Sequence, residues 1–491
     1  MTSGVELRFR PAPWNQLSAH LFPGDQDEHG AVLLCGAVRT DCGFRLVVRE
    51  VVPAVDGVDY EPGVRGYRHL NGAFVTRQLR RAKDLGLVYL AAHNHSGDGQ
   101  VAFSRSDLSS HERAYPTLLD VNGEAVGGLV LSRRALAGDI WLPGGTRVDV
   151  ALTSITGDFL DRRNDRGVIY GSFSASNTST QDAIFARQAL IFGAAGQRLL
   201  GEMRVGIVGA GGVGMLIVQA LARLGVGQFV VIDPDHVSAS NLPRLPEARS
   251  FDAAGRLGGG LVGIVGRRLG LNRPTSKVDL ARRIIAHANP RAEVHAVRGD
   301  VADDPVAGQL RSCDFIFLAA DTMLARDVVN QIAYQYLIPT LQVGSKVLLD
   351  SANGAIADVF GVVRSLGTAA GCLRCNGLVN LSKLTEEAVA TEEQRRNQRY
   401  VEDPEVDAPS VITINAMSVG WAVNDFMHYA TGLGRPATGF RLLRSRPVAP
   451  GGLQFTVQDP YADPECHVCG SKSYSASSRG DSGELPTRLA R

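Results

Sequence analysis

The sequence lacks a surplus of charge of either sign: 51 Lys and Arg residues stand against 50 Asp and Glu residues, so the formal net charge is +1. The broad positive surface of a nucleic-acid-binding protein is therefore missing, and we expect no nucleic acid partner. Long apolar runs are also missing. The richest stretch, residues 261–271, is interrupted by Arg267 and Arg268 and is shorter than the ~18 to 20 residues that span a bilayer. We expect no membrane partner.

Cysteine is scarce, with seven in 491 residues, and this excludes a secreted scaffold held by disulfides. The first ten residues include Glu6 and lack the apolar core of a secretion signal, so we expect a cytoplasmic protein. At ~150 residues per domain, the length predicts two or three domains. A content of 44% hydrophobic and 21% charged residues is typical of a globular enzyme.

The pattern along the chain predicts an α/β protein in four parts. Residues 1–150 alternate short apolar runs with a helical pattern and predict a small α/β domain. Residues 151–181 are polar and rich in Ser, which predicts a linker. From 182 to 470, short apolar runs alternate with helical patterns and predict a doubly wound parallel sheet. Residues 471–491 are rich in Ser and Gly and predict a disordered tail.

A predicted strand over residues 89–92 leads directly into two histidines, His93 and His95, and a helical pattern begins shortly before Asp107. Alternate residues of a strand share one face, so both imidazoles can face one metal ion, and Asp107 can supply a carboxylate. Three protein ligands leave a fourth position for water. That arrangement is typical of catalytic zinc.

A zinc hydrolase also needs a carboxylate that accepts and returns a proton. Glu28, just ahead of a predicted strand, is the candidate, and Asp25 and Asp27 compete for the role. Ser104 could donate a hydrogen bond to the oxyanion of a tetrahedral intermediate. A purely structural interpretation also exists, because Ser104 and Asp107 match a capping box at the start of a helix.

Taken together, the glutamate ahead of a strand, the His-x-His at a strand end and the Ser-x-x-Asp resemble the signature of the JAMM (JAB/MPN) metallopeptidases over about the first 150 residues. The resemblance implies a zinc-dependent isopeptidase that cleaves after the C-terminal glycine of ubiquitin-like proteins. It implies Glu28 as base, Ser104 as oxyanion donor, and His93, His95 and Asp107 as zinc ligands. The sequence departs from the family pattern at Ser96, where proline is usual, and by one extra residue before Ser104.

A second motif begins where a predicted strand ends at Val208. Gly209, Gly211 and Gly214 satisfy G-x-G-x-x-G, which lets backbone N–H groups at a helix start approach phosphate. Asp233 ends the next predicted strand, where an acid can bind ribose hydroxyls. A dinucleotide-dependent dehydrogenase would carry the same features.

The polar residues around this motif favour adenylation over hydride transfer. Attack of a carboxylate on the α-phosphate of ATP builds negative charge that Arg, Lys and Mg²⁺ neutralise. The order and spacing of the residues resemble the ThiF/MoeB superfamily, which includes ubiquitin-activating enzymes, from about Asp182 to Gly470. The resemblance implies that Asp233 holds ribose and that Asp321 holds Mg²⁺ or orients the target C-terminus. It implies a phosphate loop of Gly209, Gly211, Gly212 and Gly214, and phosphate contacts from Arg187, Asn241, Arg244 and Lys277.

Four cysteines form two C-x-x-C pairs, and two such pairs predict one closed tetrahedral zinc site, although a redox dithiol is the alternative. The four are Cys372, Cys375, Cys466 and Cys469. The resemblance implies that this zinc is structural.

Many activating enzymes transfer the adenylate to a cysteine in a crossover segment, here residues 386–410, but that segment contains no cysteine. Either the reaction stops at the acyl-adenylate, or another nucleophile such as Ser410 forms an oxyester. Ser410 also precedes a helical pattern, where serine is a preferred helix cap.

The two resemblances together imply a bifunctional enzyme of a bacterial ubiquitin-like conjugation pathway. Its expected cofactors are ATP, Mg²⁺ and two zinc ions, one catalytic and one structural. Its expected partners are a small β-grasp ubiquitin-like protein, a conjugating-enzyme-like protein, and a second copy of the chain in a homodimer. The alternatives are an adenylyltransferase for a sulfur-carrier protein with a carrier-trimming peptidase domain, and an inert scaffold in which both sites are degenerate.

Overall fold

The structure is a computed structural model that describes residues 4–41, 43–62, 68–157, 160–169, 183–255, 260–268, 273–349, 356–367, 371–389, 409–434, 439–445 and 453–488. The chain forms two compact units. Unit 1 combines residues 1–170 with 334–337 and 470–484, and unit 2 contains the remainder. Within the described ranges, no helix is long and apolar enough to cross a membrane.

Up to residue 169, the described residues of unit 1 form three α-helices and nine strands. In chain order they are β1 (Val5–Phe9), α1 (Pro11–Leu21), β2 (Gly30–Thr40), β3 (Gly43–Pro53), α2 (Gly72–Leu85), β4 (Val88–Asn94), α3 (Arg105–Asn122), β5 (Val126–Leu131), β6 (Leu136–Trp141), β7 (Arg147–Thr156), β8 (Leu160–Asn164) and β9 (Gly167–Val168). The strands form one sheet in the order β1-β3-β2-β4-β5-β6-β7-β8-β9, and β1 also pairs with β7, which closes seven strands into a ring.

Strand β2 shows why this sheet has helices on both faces. Its run of consecutive apolar residues is buried on both sides, which is the pattern of a central strand. Leu33 and Cys35 belong to the core that includes Leu17 and Leu21 of α1. The alternate residues Val32 and Leu34 belong to a second core with α2 and α3. β4, which carries the His-x-His, pairs with β2 and β5 in the middle of this sheet.

The C-terminal segment 471–488 is described and packed, so the expected disordered tail over 471–491 is wrong for these residues, and 489–491 lie outside the described part. Ser475, Ser477 and Ser478 are buried. The Arg49 guanidinium donates to the carbonyls of Lys472, Ser473 and Ser475 at 2.9, 3.0 and 3.1 Å, and also to that of Ser477. Composition is misleading here because small residues are held by backbone hydrogen bonds rather than by apolar side chains.

Glycine at the contact explains how the segment comes so close to the sheet. A Cβ at Gly36 of β2 would lie 2.4 Å from the backbone of Arg479, and one at Gly480 would lie 2.2 Å from the Ala37 carbonyl oxygen. The segment is also held by Gln335, whose Nε2 donates to the carbonyls of Gly480 and Gly483 at 2.9 and 2.7 Å.

The predicted boundary at residue 150 falls inside β7, and the predicted linker 151–181 begins with strand residues of β7, β8 and β9. Unit 1 therefore continues to about residue 170. Residues 158–159 and 170–181 of the predicted linker lie outside the described residues.

Unit 2 alternates strands with helices. In chain order they are α4 (Ala186–Glu202), β10 (Arg204–Val208), α5 (Gly212–Leu224), β11 (Gln228–Ile232), α6 (Ser250–Ala254), α7 (Leu261–Arg268), α8 (Lys277–Ala288), β12 (Glu293–Val297), α9 (Asp304–Ala307), β13 (Phe315–Leu318), α10 (Met323–Gln335), β14 (Thr340–Leu349), β15 (Ile356–Leu366), α11 (Leu381–Val389), α12 (Ile412–Thr431), β16 (Phe440–Ser445) and β17 (Leu453–Gln458).

Its sheet has the order β12-β11-β10-β13-β14-β15-β16-β17. The five strands from β12 to β14 are parallel, as expected for a doubly wound fold, but β15, β16 and β17 continue the sheet antiparallel. The mixed sheet thus differs from the predicted all-parallel one. β10 lies between β11 and β13, and the connections from it leave to opposite sides, so the crevice at its carboxyl end is the expected ligand site.

Candidate functional site

The two histidines and Asp107 come together in unit 1, where the end of β4 meets the start of α3. The Nε2 atoms of His93 and His95 are 3.2 Å apart. The Asp107 Oδ2 lies 3.6 Å from the first and 3.5 Å from the second. A tetrahedral zinc ion with bonds of ~2.0 Å sets its ligand atoms about 3.3 Å apart, so this donor set fits zinc. All three side chains are partly exposed, which leaves room for a fourth ligand from solvent.

Neighbouring groups hold this donor set in place. Asn94, between the two histidines, faces the opposite side of the strand, and its Oδ1 accepts from the backbone N–H of His29 at 2.6 Å. A hydrogen bond with Asp107 is the main cause that raises the pKa of His95, and a hydrogen bond to the backbone of Ala102 contributes. Partners of this kind fix which ring nitrogen faces a metal.

Glu28 is the carboxylate next to this donor set, with its Oε1 4.0 Å from the Nε2 of His95. Burial raises the pKa of Glu28, which favours a group that exchanges protons. The two competitors have other partners. The Asp25 carboxylate accepts from His29 at 2.9 Å, and Asp27 pairs with Arg68 at 2.7 Å. The geometry therefore favours Glu28.

Ser104 and Asp107 also form the capping box that the structural interpretation predicts. Ser104 caps α3 by accepting from the Asp107 backbone N–H at 3.1 Å, and the Asp107 Oδ2 accepts from the Ser104 backbone N–H at 2.7 Å. The same Oδ2 faces the two histidines. One carboxylate oxygen thus takes part in the cap and in the donor set, and the exposed Ser104 hydroxyl keeps its own proton to donate.

In unit 2 the predicted phosphate loop, Gly209 to Gly214, joins β10 to the start of α5. Gly209 has a φ of +93°, and a Cβ there would lie 2.7 Å from the backbone of Ala320. A Cβ at Gly214 would lie 1.8 Å from the Gly209 carbonyl oxygen. Glycine is therefore required at both positions. Gly211 is the N-cap of α5 and has no side chain, so the first N–H groups of α5, beginning at Gly212, are open to an anion.

Asp233 follows β11 and lies beside this loop. Its carboxylate accepts from the backbone N–H groups of Ala210 and Asp235, at 2.7 and 2.9 Å. The Lys277 Nζ lies 3.6 Å from Asp233 and 2.6 Å from Asp235. Burial acts to lower the pKa of Lys277, but Asp233 and Asp235 outweigh it and raise the pKa, so the side chain is a cation. An acid and a cation thus face the same crevice.

Arg244 and Asn241 lie on the short 3-10 helix Ala239–Arg244, which leads away from Asp233. The aliphatic stem of Arg244 reaches the phosphate loop, because a Cβ at Gly212 would lie 3.2 Å from its Cδ. Asn241 has a local role in the structure, and its Oδ1 accepts from the Ser238 backbone N–H at 3.3 Å. Asp321, which is exposed, follows β13 at the same carboxyl edge and contributes to the raised pKa of Lys277.

Arg187 is the predicted phosphate ligand that does not join the others within one chain. It is exposed on α4, and its neighbour Gln188 donates to the Leu224 carbonyl at the C-terminal end of α5. Since α5 has 13 residues and spans roughly 20 Å, Arg187 lies near the opposite end of that helix from the phosphate loop.

Ser410 is described and exposed, and its Oγ accepts from the Asn415 Nδ2 at 3.3 Å. It is not a helix cap, because α12 begins one residue later than such a cap requires and its N-cap is Val411. Of the predicted crossover segment, residues 390–408 lie outside the described part. Cys35 and Cys313 are buried, and Cys42 lies outside the described residues.

The four paired cysteines converge in unit 2 as predicted. The Sγ of Cys372 lies 3.6 Å from that of Cys375 and 3.7 Å from that of Cys466, and Cys375 and Cys469 are 3.5 Å apart. A zinc ion with bonds of ~2.3 Å to four tetrahedral thiolates requires about 3.8 Å, so the cluster fits a closed zinc site. Hydrogen bonding with Cys469 lowers the pKa of the Cys372 thiol to about 5.

Sequence reasoning missed two groups near the predicted nucleotide site. Asn415 of α12 lies beside the glycine loop and accepts a hydrogen bond from Ser345 of β14, but no motif marks either residue. Glu387 of α11 accepts from the backbone N–H groups of Met323 and Leu324, and so caps α10 next to Asp321. The sequence shows a carboxylate after the first cysteine pair, but nothing in the sequence indicates that it caps α10.

The chain is similar to several adenylyltransferases and to an activating enzyme. Molybdopterin-synthase adenylyltransferase of Salmonella typhimurium is 26% identical over 275 residues, which cover 56% of this chain and 90% of that protein. SAMP-activating enzyme E1 of Haloferax volcanii is 29% identical over 183 residues, 37% of this chain and 56% of that protein. Sulfur carrier protein ThiS adenylyltransferase of Bacillus subtilis is 29% identical over 159 residues, 32% of this chain and 42% of that protein.

The expected relation of residues 182–470 to known activating enzymes is confirmed by a match to a family model over residues 185–467. That range includes the phosphate loop, Asp233, Lys277 and the four cysteines, and it accounts for more than half of the 491 residues. The metallopeptidase resemblance of the first 150 residues stays a prediction. The chain belongs to the ThiF family.

Proposed function

We propose that unit 2 activates the C-terminus of a small β-grasp ubiquitin-like protein with ATP, and that unit 1 cleaves peptide or isopeptide bonds after the same C-terminus. The observation that carries the first half is the convergence of Asp233, Lys277 and Arg244 on a phosphate loop in a chain of the ThiF family. By their names, one of the relatives above is an activating enzyme for SAMP and another is an adenylyltransferase for the sulfur carrier protein ThiS.

In the proposed activation, the modifier's terminal carboxylate attacks the α-phosphate of ATP, and pyrophosphate leaves. Asp233 accepts hydrogen bonds from the ribose hydroxyls, and the N–H groups at the start of α5 bind phosphate oxygens. Lys277, Arg244 and the amide of Asn241 stabilise the charge that builds on the phosphates. Asp321 would hold Mg²⁺, which neutralises phosphate charge, or orient the carboxylate.

A homodimer would complete this site by adding Arg187 from a second copy. The face of α4 that carries Arg187 also exposes two large apolar side chains, Leu190 and Ile191, which are 67% and 52% exposed, and Ile184 on the 3-10 helix just before α4 is 69% exposed. Such a face is typical of a surface covered by a partner. The distance of Arg187 from its own phosphate loop supports this assignment.

In the proposed hydrolysis, His93, His95 and Asp107 would hold zinc, which supplies a Lewis acid for the scissile carbonyl. Glu28 takes the proton from the attacking water and returns it to the leaving amine. Ser104 donates a hydrogen bond to the oxyanion. The support for this half is geometric: three donor atoms at zinc spacing, with a carboxylate of raised pKa beside them.

For the fate of the adenylate, Ser410 is our candidate acyl acceptor. Its Oγ would attack the carbonyl carbon of the acyl-adenylate. The bond from that carbon to AMP would break, and AMP would leave with its electron pair. The hydroxyl proton would pass to the AMP phosphate or to solvent. The modifier would then be held as an oxyester that a conjugating-enzyme-like protein could receive. The exposure of Ser410 and its hydrogen bond from Asn415 support this candidate.

The test of activation is exchange of labelled pyrophosphate into ATP, with a small β-grasp protein as acceptor. Arg244→Ala should slow exchange ~100-fold or more, because it removes a cation from the phosphates, and peptidase activity should remain. Arg223→Ala, an exposed arginine at the far end of α5, is the matched control. Exchange at the wild-type rate in the Arg244 variant would remove that residue from the mechanism.

The same reactions separate the alternatives. Lysine-linked conjugates of the modifier, detected by mass spectrometry, indicate a conjugation pathway. A modifier C-terminal thiocarboxylate, formed only with a sulfur donor, indicates the sulfur-carrier alternative that the similarity to a ThiS adenylyltransferase supports. Absence of pyrophosphate exchange with every candidate modifier would indicate a scaffold.

A further inference from the structure

The side-chain amide of Asn415 lies directly against the phosphate loop. Asn415 is in the first turn of α12 and is 1% exposed. A Cβ at Gly212, the first residue of α5, would lie 2.7 Å from the Asn415 Nδ2 and 3.2 Å from the Arg244 Cδ. The amide therefore approaches the start of α5 together with the arginine assigned to phosphate.

Two hydrogen bonds orient this amide. The Ser345 hydroxyl on β14 donates to the Asn415 Oδ1 at 2.6 Å, which directs the oxygen away from the loop. The Nδ2 donates one hydrogen to the Ser410 Oγ at 3.3 Å. An amide nitrogen has a second hydrogen, and among the described residues it finds no acceptor.

A buried N–H without an acceptor is unfavourable unless a ligand supplies one. Around this amide, the first N–H groups of α5 and the Arg244 side chain also present positive charge or hydrogen donors. The group that would satisfy all of them is an oxyanion. The Ser345 hydrogen bond presents the donor end of the amide to that position rather than the acceptor end.

We propose that Asn415 donates its second Nδ2 hydrogen to a phosphate oxygen of ATP, and that Ser345 is the positioning residue that fixes the amide for this contact. This inference rests on the proposed function and adds a nucleotide-binding residue to it. Because the other Nδ2 hydrogen binds Ser410, the amide also connects the bound nucleotide to the residue proposed to receive the acyl group.

The test is the dissociation constant of Mg²⁺-ATP, measured by titration calorimetry on the full-length chain without any modifier. Asn415→Asp replaces a donor by a carboxylate of almost the same shape and should weaken binding about 10- to 100-fold, since a hydrogen bond to a charged group is lost and a negative charge is added. Ser345→Ala should weaken binding less, because the amide remains but is no longer fixed.

Asn289→Asp is the matched control. Asn289 is also a buried asparagine of unit 2, and its Nδ2 donates to the Val226 carbonyl at 3.0 Å, outside the nucleotide site. This variant should unfold at a lower temperature and bind ATP as the wild type does. A purely structural role for Asn415 would give that same result in Asn415→Asp, and ATP affinity equal to wild type in a folded Asn415→Asp would overturn the inference.

The proposed activation and the inference on Asn415 would fail in different ways. If the wild-type chain binds no ATP, the proposed activation is wrong. If the wild type binds ATP and Asn415→Asp binds it equally well, only the inference on Asn415 is wrong. Melting temperature, recorded for every variant, shows that each affinity was measured on folded protein.

Discussion

The two clusters of candidate metal ligands differ in how the chain builds them. The three-ligand cluster of unit 1 comes from 15 consecutive positions, 93 to 107, and the four-cysteine cluster of unit 2 joins Cys372 to Cys469, 97 positions later. The first is held by a β-strand and a helix cap that need no metal. The second joins segments that are far apart in the chain, and its four cysteines and the groups next to them hold these segments together.

This difference predicts different roles for a bound ion. A capping box and a strand pairing already fix Asp107 and His93, so metal there adds chemistry more than stability. Closing a long loop costs chain entropy, and an ion that closes it stabilises the fold. Next to the cysteines, Arg374 binds Asp327 of α10 through two hydrogen bonds of 2.6 and 2.5 Å, so the cluster is also attached to the helix that follows Asp321.

The largest expected effect is the loss of the four-cysteine cluster of unit 2. Cys469→Ser should reduce bound zinc from two ions per chain to one, measured by plasma mass spectrometry, and should destabilise unit 2 by several kcal/mol, because the ion stabilises only the folded state. Cys313→Ser changes a buried thiol outside the cluster and should keep both ions. Two ions in the Cys469 variant would remove the contrast between the clusters.

The next effect concerns the three-ligand cluster of unit 1 and separates proton transfer from metal binding. Glu28→Gln should slow cleavage of a modifier-derived peptide ~10²- to 10⁴-fold, since a general base is lost, while both zinc ions and the melting temperature stay close to wild type. Asp25→Asn, on the same loop, should cleave normally. Cleavage that persists in the Glu28 variant and stops in the Asp25 variant would transfer the base to Asp25.

The smallest effect tests the double role of the capping box. Ser104→Ala should lower the free energy of unfolding of unit 1 by ~1 kcal/mol, measured by urea denaturation, because the cap of α3 is lost. Ser104→Asn retains a capping oxygen and should recover that stability. If the hydroxyl also serves the oxyanion, cleavage will remain slow in Ser104→Asn, and full recovery of cleavage would limit Ser104 to capping.

Local patterns in the sequence predicted the local parts of the structure well. The strand predicted over residues 89–92 lies inside β4, the strand predicted to end at Val208 is β10, and the glycines of the motif lie between β10 and the first turn of α5. The His-x-His and the Ser-x-x-Asp form one donor set because a strand end and a helix start have fixed local geometry. These features depend on neighbours within a few residues.

Contacts between residues far apart in the chain could not be predicted from the sequence. The antiparallel strands β15 to β17 follow from pairing between segments whose order no spacing reveals. Asn415 approaches Gly212 across 203 positions of sequence, and an isolated Asn before an apolar helix carries no signal. The tail was misjudged for the same reason, because its partners Arg49 and Gln335 are far away in the chain.

That tail has a consequence for how the protein is made. The strands of unit 1 are translated well before the residues that Arg49 and Gly36 contact. During synthesis, residues 1–170 of unit 1 therefore stay without this segment until about 300 further residues have been added. A gene divided between residues 170 and 470 would encode a first product that lacks a segment of unit 1.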